Sequence, residues 1–407
     1  MKILLEDTIP FGTDYLNSVG DVETYAWQSL VPEMLRDVDI LALRSTTKVT
    51  PELLKSASKL KFVTTATAGT NHLDKAHLDS MGIAHSSAAG CNAVAVAEYV
   101  LSVLLHAQKA QKLDLYKATV GIVGAGNVGT ALSKILTAIG VKHCLYDPPL
   151  QQALANTGKT EHNGQSFVEL AQIAKCDVIS LHVPFIMGGE YPTYQMIDKA
   201  FLEALAPNQL LINACRGEVI DEVALLSILQ KEKSPTVVLD VFDNEPGINT
   251  ALFDYVWFVT PHIAGHSVEG KVRGTQMIYE QICSVVDTPP DKALSDFLDK
   301  TNPINAALTS PEASRLSVDD LIAVFHNVYD VAIDDEITRK AFLSTSNRDG
   351  KQETDIANTF SVLRKQYRVR RECSAYALHL PKNTSKQIQN TFTKLGFHVS
   401  LVQLFLD

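Results

Sequence analysis

The sequence predicts an α/β protein built on doubly wound parallel sheets, and three observations carry that class. Short apolar, β-like runs alternate with helical ones from the first residues to about residue 260. A glycine-rich turn, "GIVGAGNVG" at 121–129, joins one such run to a helical stretch. Arg216, Glu245 and His262 each follow a later run, at the carboxyl edge where sheets of this kind collect their ligands. With 407 residues, the chain is long for one core, so several domains are expected.

In order, the first strand candidates are "KILLE" (2–6), "DILAL" (39–43), "KFVTTA" (61–66) and "GIAHSS" (82–87), separated by polar helical spacers. They predict a parallel sheet flanked by helices. "AVAVAEYVLSVLLHA" (93–107) has the length and residues of a buried helix. It carries Glu98 and is too short to span a bilayer. A second alternation gives strands at "TVGIVG" (119–124), "KHCLYD" (142–147), "DVISLHV" (177–183), "QLLINA" (209–214), "TVVLDV" (236–241) and "VWFVTP" (256–261). Six strands with crossovers make a complete dinucleotide-binding Rossmann fold.

Residues 286–314 mix prolines, polar residues and short apolar groups and read as a connector. Beyond it "VDDLIAVFHNVYDV" (318–331) reads as an amphipathic helix. The tail "SAYALHL", "SKQIQNTFTKLGF", "HVSLVQLFL" (398–406) reads strand, helix, strand, a small third α/β domain. The expected division is 1–94 with 268–286 for substrate, 95–267 for the dinucleotide, and 287–407 for the carboxyl-terminal domain.

In the glycine turn, Gly124 permits the tight bend, Gly126 lets backbone approach a pyrophosphate, and Gly129 allows close strand–helix packing. Asn127 and Val128 begin the helix, whose unpaired N–H groups face phosphate charge. Asp147 ends the next strand, where a carboxylate accepts from ribose hydroxyls and repels a 2′-phosphate. No arginine follows it, so the cofactor expected is NAD rather than NADP.

Oxidising a secondary alcohol with NAD requires a proton to leave oxygen while hydride leaves carbon. His262 suits that proton, Glu245 would fix the ring and favour its charged form, and Arg216 would hold a carboxylate and polarise the neighbouring carbonyl. Each has a plainer reading: a solvated arginine, a turn-shaping glutamate before Pro246, a histidine packed at a helix entry. Together, on one sheet edge, they favour chemistry. His262 and His266 are four apart but on no continuous helix and with no acidic ligand set, so no metal is expected.

The net charge of −10 argues against a nucleic-acid surface. The six cysteines are scattered without C-x-x-C spacing, so neither zinc nor a disulfide framework is expected. The start "MKILLEDTIP" does not read as a signal peptide. A cytoplasmic protein without membrane contact is the expectation.

At the glycine loop with Asp147, "NACRGEVID" (213–221), "LDVFDNEP" (239–246) and "TPHIAG" (260–265), the chain resembles the D-isomer-specific 2-hydroxyacid dehydrogenases. That resemblance implies the same roles for Arg216, Glu245 and His262. A closer likeness runs over nearly the whole chain through "LALRSTTKVT", "FVTTATAGTNHLD", "GCNAVAVAEYV", "TPHIAGHSVEGKVRGT", "VYDVAIDD" and "YRVRRE". It points to a branch acting on a phosphorylated sugar acid and carrying its own dimerisation domain. It implies oxidation of 4-phospho-D-erythronate at C2, with Ser45, Thr67 and His266 at substrate positions. It also implies Asp147, Val183, Asp240 and Gly265 at NAD positions, and a homodimer through the carboxyl-terminal domain. His266 stands where the family often has tyrosine, though imidazole also donates to a phosphate or hydroxyl. Arg44 with the hydroxyls of Ser45, Thr46 and Thr47 suits a second anion pocket, or a strand-end turn capped by hydroxyls. "RKQYRVRRE" (364–372) either adds to that pocket across a dimer or is a solvated charged face. Two other readings stay open: a 3-phosphoglycerate dehydrogenase with an amino-acid sensor domain, and an NAD-sensing interaction protein without turnover.

Overall fold

The computed structural model describes residues 1–346 and 353–403. By packing, the chain divides into two units, Met1–Asn92 with Ser267–Lys300, and Ala93–His266 with Thr301–Asp407.

The first unit holds a five-stranded parallel sheet: β1 (Lys2–Glu6), β2 (Asp21–Tyr25), β3 (Ile40–Leu43), β4 (Phe62–Thr65) and β5 (Ala84–Ser87). Its order, β2-β1-β3-β4-β5, is the flavodoxin-like one. β2 escaped the sequence reading because an edge strand with one neighbour needs no apolar run, and "DVETY" has none. The helix Val268–Val285 returns to this sheet. Its Val272, Ile278, Tyr279 and Ile282 are buried with Ile3, Leu5 and Phe62. The Ser267 hydroxyl caps it by accepting from the Gly270 N–H at 2.9 Å.

The stretch read as a connector therefore starts as part of this unit. The Tyr279 hydroxyl donates to Asp291 at 2.6 Å, and the Lys292 ammonium donates to the Tyr15 carbonyl at 2.9 Å. Its later part is built in as well, because Ile304–Asn305 forms a short strand in the second unit.

The second unit holds six parallel strands: β6 (Thr119–Val123), β7 (Lys142–Tyr146), β10 (Val178–Leu181), β11 (Leu210–Asn213), β12 (Thr236–Leu239) and β13 (Phe258–Val259), ordered β13-β12-β11-β10-β6-β7. Between β7 and β10 lies a small hairpin, β8 (Glu161–His162) and β9 (Gln165–Ser166). The helix Ala93–Lys109 is buried along most of its length, which explains its unbroken apolar run. β14 (Ile304–Asn305), β15 (Ala377–Pro381) and β16 (His398–Val402) form a separate parallel sheet, with the helix Lys386–Lys394 between its last two strands. Residues 404–406 of the last strand-like run lie outside the described residues.

One expectation needs correction. Residues 318–331 are not a single helix: Val318–Phe325 ends, and a new helix, Val331–Ser346, begins. Asp330 Oδ1 accepts from the Ala332 N–H at 2.9 Å and Ser102 Oγ from the Val331 N–H at 3.0 Å. Both bonds cap a fresh N-terminus. All six cysteines are free thiols. Among the described residues no helix is long and apolar enough to cross a membrane.

Candidate active site

The three catalytic candidates stand beyond the carboxyl ends of three neighbouring strands, β11, β12 and β13. The β11 and β12 loops touch closely. A Cβ on Gly217 would lie 1.8 Å from the Phe242 carbonyl carbon, so only glycine fits there. Arg216 donates through Nη1 to the Cys215 carbonyl at 2.7 Å, the one hydrogen bond of its side chain among the described residues. The rest of the guanidinium fork is left for an anion.

Glu245 and His262 form a pair. Glu245 Oε1 accepts from the Phe242 N–H at 3.0 Å, and Oε2 lies 2.6 Å from His262 Nδ1. With Nδ1 facing a carboxylate, that nitrogen carries the proton and Nε2 keeps its lone pair. The His262 side chain is 29% exposed, so a substrate can reach it. Its backbone sits at φ +57°, a left-handed conformation that a non-glycine residue adopts only when its surroundings hold it.

Asp240 supplies much of that hold. Only 1% exposed, its carboxylate accepts from Thr260 Oγ1 (2.7 Å), the Ile263 N–H (2.8 Å) and the Ala264 N–H (3.0 Å). Burial pushes this carboxyl up, while His262 and the three donors pull it back. Asp240 is thus turned inward onto the 260–264 loop.

In the glycine turn, Gly124 has φ +92° and packs against the His182 carbonyl, where a Cβ would stand 2.7 Å away. Gly129 meets the Gly124 carbonyl, which a Cβ would approach to 2.0 Å. Gly126 differs: nothing lies within 4 Å of where its Cβ would be, and no side chain caps the helix Asn127–Ile139 that it begins. Open space before uncapped N–H groups fits a pyrophosphate. Asp147 accepts from the Ala125 N–H (2.8 Å) and the Leu150 N–H (3.0 Å), which fixes the carboxylate beside the turn. Val183 follows β10 and is half-buried. Gly265 and His266 close the 260–266 loop, with the His266 N–H donating to the Ile263 carbonyl at 2.8 Å and its ring 5.8 Å from that of Tyr367.

In the first unit, Arg44 and Ser45 follow β3, and Ser45 is exposed. Buried Glu6, which the sequence reading missed, changes the expected anion pocket. It accepts from Thr46 Oγ1 (2.6 Å), Thr47 Oγ1 (2.7 Å), Thr8 Oγ1 (2.6 Å) and the Arg44 N–H (2.9 Å). Burial raises this carboxyl, but the four donors outweigh it and hold it below its usual range. The hydroxyls of Thr46 and Thr47 therefore donate to Glu6 and are not free for an anion. Burial and the nearby Arg44 lower the Lys271 ammonium, so a second cation shares the neighbourhood. Thr67 Oγ1 lies 2.8 Å from Thr65 Oγ1, which is in turn 3.0 Å from His72 Nε2. Burial holds that imidazole down at about 4.

Residues 94–264 match the model of the D-isomer specific 2-hydroxyacid dehydrogenase NAD binding domain, and 307–396 match a domain of unknown function, DUF3410. The erythronate-4-phosphate dehydrogenase of Pseudoalteromonas atlantica is 44% identical over 93% of this chain and 95% of its own length. That of Marinobacter nauticus is 42% identical over 98% and 100%. This chain belongs to the erythronate-4-phosphate dehydrogenase family. A glyoxylate/hydroxypyruvate reductase from Sinorhizobium meliloti shares the fold at TM-score 0.59 and 23% identity, over 73% of this chain and 99% of the other. D-lactate dehydrogenase from Aquifex aeolicus, solved with NAD and lactic acid, does so at TM-score 0.54 and 23% identity, over 70% and 95%.

The run "RKQYRVRRE" is not a solvated face throughout. Arg368 pairs with Asp334 at 2.8 Å, and Arg370 is buried. Among the described residues, His106, His326 and Asp330 alone group metal-ligand side chains closely. The two rings stack at 4.8 Å and 23°, and His106 Nε2 lies 2.6 Å from Asp330 Oδ1.

Proposed function

We propose that this chain oxidises 4-phospho-D-erythronate at C2 to (R)-3-hydroxy-2-oxo-4-phosphooxybutanoate, a step of pyridoxal 5′-phosphate biosynthesis, with NAD as cofactor. The observation that carries the chemistry is the 2.6 Å pair of Glu245 and His262, one strand over from Arg216. NAD, when bound, takes up the hydride that leaves C2. His262 Nε2 accepts the proton of the C2 hydroxyl, and Glu245 stabilises the resulting imidazolium through Nδ1. Arg216 holds the substrate carboxylate and draws electron density toward the C2 oxygen as it becomes a carbonyl.

On the cofactor side, Gly124 to Gly129 cradle the pyrophosphate, and Asp147 accepts from the adenosine ribose. The Val183 backbone, Gly265 and the loop held by Asp240 serve the nicotinamide end. On the substrate side, Ser45, Thr67, Arg44 and His266 take the phosphate and the remaining hydroxyls. The residues beyond about 300 pair two copies of the chain, and the enzyme works in the cytoplasm.

The test is NADH fluorescence with purified protein, NAD and a panel of 4-phosphoerythronate, 3-phosphoglycerate, D-lactate and D-glycerate. A 2-oxo acid acceptor with product detection is included, so that turnover on tightly held cofactor is seen. Preference for 4-phosphoerythronate supports the reading. Preference for 3-phosphoglycerate overturns the substrate, and silence on all four despite NAD binding overturns the activity.

A further inference from the structure

The 260–264 loop that carries His262 is anchored from a second side. Arg370 is 2% exposed. Its Nη1 donates to the Ala264 carbonyl at 2.9 Å, and its Nη2 donates to the Ala95 carbonyl at 2.6 Å. The guanidinium lies 3.6 Å from the Tyr329 ring centre and 4.0 Å from Glu98 Oε2. Glu98 Oε1 in turn accepts from the Cys373 N–H at 2.8 Å, so the segment carrying Arg370 is tied to the helix Ala93–Lys109.

Only a flat, forked donor can reach two carbonyls in different directions while lying on an aromatic face; an ammonium is a point donor. Burying a charge this deeply is costly unless its partners repay it. A solvent-exposed side chain would brace the chain terminus at far lower cost. What this burial adds is a fixed Ala264 carbonyl two residues from His262, opposite the Asp240 carboxylate that takes the Ala264 N–H.

We propose that Arg370 is a positioning residue for the reaction, holding the Ala264 carbonyl so that His262 meets the substrate hydroxyl in line. The inference rests on His262 as the proton acceptor. It gives the region matched by the domain of unknown function a part in the chemistry besides subunit pairing. Asp240 and Arg370 grip one residue, Ala264, by its N–H and by its carbonyl, two residues after the left-handed backbone of His262.

The experiment compares wild type with Arg370→Lys and with the double variant Glu98→Gln/Arg370→Met, which removes both members of the buried pair and keeps the packing. In Arg370→Lys, kcat is expected to fall about 10- to 100-fold, as for a misplacement on the order of an ångström, with the Kd for NAD within about threefold. The isotope effect with C2-deuterated substrate should rise as the chemical step becomes limiting. The His262 ring signals, followed by NMR through a pH titration, should move in the folded variant. That last measurement needs no turnover. If wild type proves inactive on every acid tested, the proposed function fails while the clamp is still read from the ring. A folded double variant with kcat within twofold of wild type, or an unchanged isotope effect and unchanged His262 titration in Arg370→Lys, overturns the proposal. So does failure of both variants to fold with NAD present, which assigns Arg370 to folding alone.

Discussion

Glu245→Gln tests the tautomer argument most sharply. Glu245 Oε1 accepts from the Phe242 N–H at 3.0 Å, while Oε2 faces His262 Nδ1 at 2.6 Å. A glutamine keeps the first bond only by turning its carbonyl oxygen to Phe242, which points its NH2 at Nδ1. The amide then donates where the carboxylate accepted, and the imidazole proton moves to Nε2. That tautomer cannot take a proton from the substrate. A forced wrong tautomer costs about 10³- to 10⁴-fold in kcat, or about 4 to 5.5 kcal/mol of transition-state stabilisation. Glu245→Ala imposes neither tautomer and should cost less, about 10²-fold. The assay is initial-rate NADH formation at mildly alkaline pH, with the Kd for NAD measured alongside, since Glu245 touches no part of the glycine turn. A glutamine variant within tenfold of wild type, or one more active than the alanine variant, would refute the assignment of Nδ1 as the protonated nitrogen.

The remaining predictions concern the surroundings of the site. Glu222, whose Oε1 accepts from the Asp243 N–H at 2.7 Å, is pushed up to about 7, chiefly by burial. A carboxyl raised above its unfolded value of 4.5 contributes stability below that value and loses it as pH rises through about 7. Glu222→Gln keeps the acceptor, so its Tm should match wild type at the acid end of that window and exceed it above, by about 2–4 °C per kcal/mol recovered. Equal melting curves at both ends would show that Glu222 is not desolvated. Asp147→Ala removes the acceptor of two backbone N–H groups. It should cost about 1 kcal/mol in urea denaturation and raise the KM for NAD, and an unchanged KM would remove Asp147 from the ribose. Gly217→Ala drives a Cβ to 1.8 Å from the Phe242 backbone. A loss of more than about 3 kcal/mol or an insoluble protein is expected, and a soluble variant with wild-type stability contradicts the close approach.

How much of this was legible in the sequence follows from what each residue answers to. Buried parallel strands announce themselves, because both faces must be apolar: "ILAL", "VISL" and "LLIN" lie within runs marked as strands. β2 and the 161–166 hairpin are edge or surface pieces held by backbone bonds, and their polar residues give no signal. The glycine turn and the Arg216, Glu245 and His262 islands stood out because each sets a chemically distinct residue type at a fixed offset from a strand end. Glu6 and Arg370 did not, because their partners lie far along the chain. Glu6 meets Thr46 across forty residues, and Arg370 meets Ala264 across more than a hundred. A basic run gives no sign of which arginine is buried. The break after Phe325 was hidden for a related reason. "VDDLIAVFHNVYDV" keeps a helical rhythm, and one of the two caps that start the next helix, Ser102, comes from another part of the chain.

The return of the helix Val268–Val285 to the first sheet has a consequence for synthesis on the ribosome. All five strands of that sheet are synthesised once Ser87 is made, yet the helix buried with Ile3, Leu5 and Phe62 comes only after the whole second sheet. At roughly 5–20 residues per second, that apolar face waits on the order of ten to forty seconds for its cover. The earliest part of the chain to be made is thus among the last to be sealed. Crowded expression should find its weak point there, in a half-built layer that a nascent-chain chaperone can shield and a neighbouring polysome can snag.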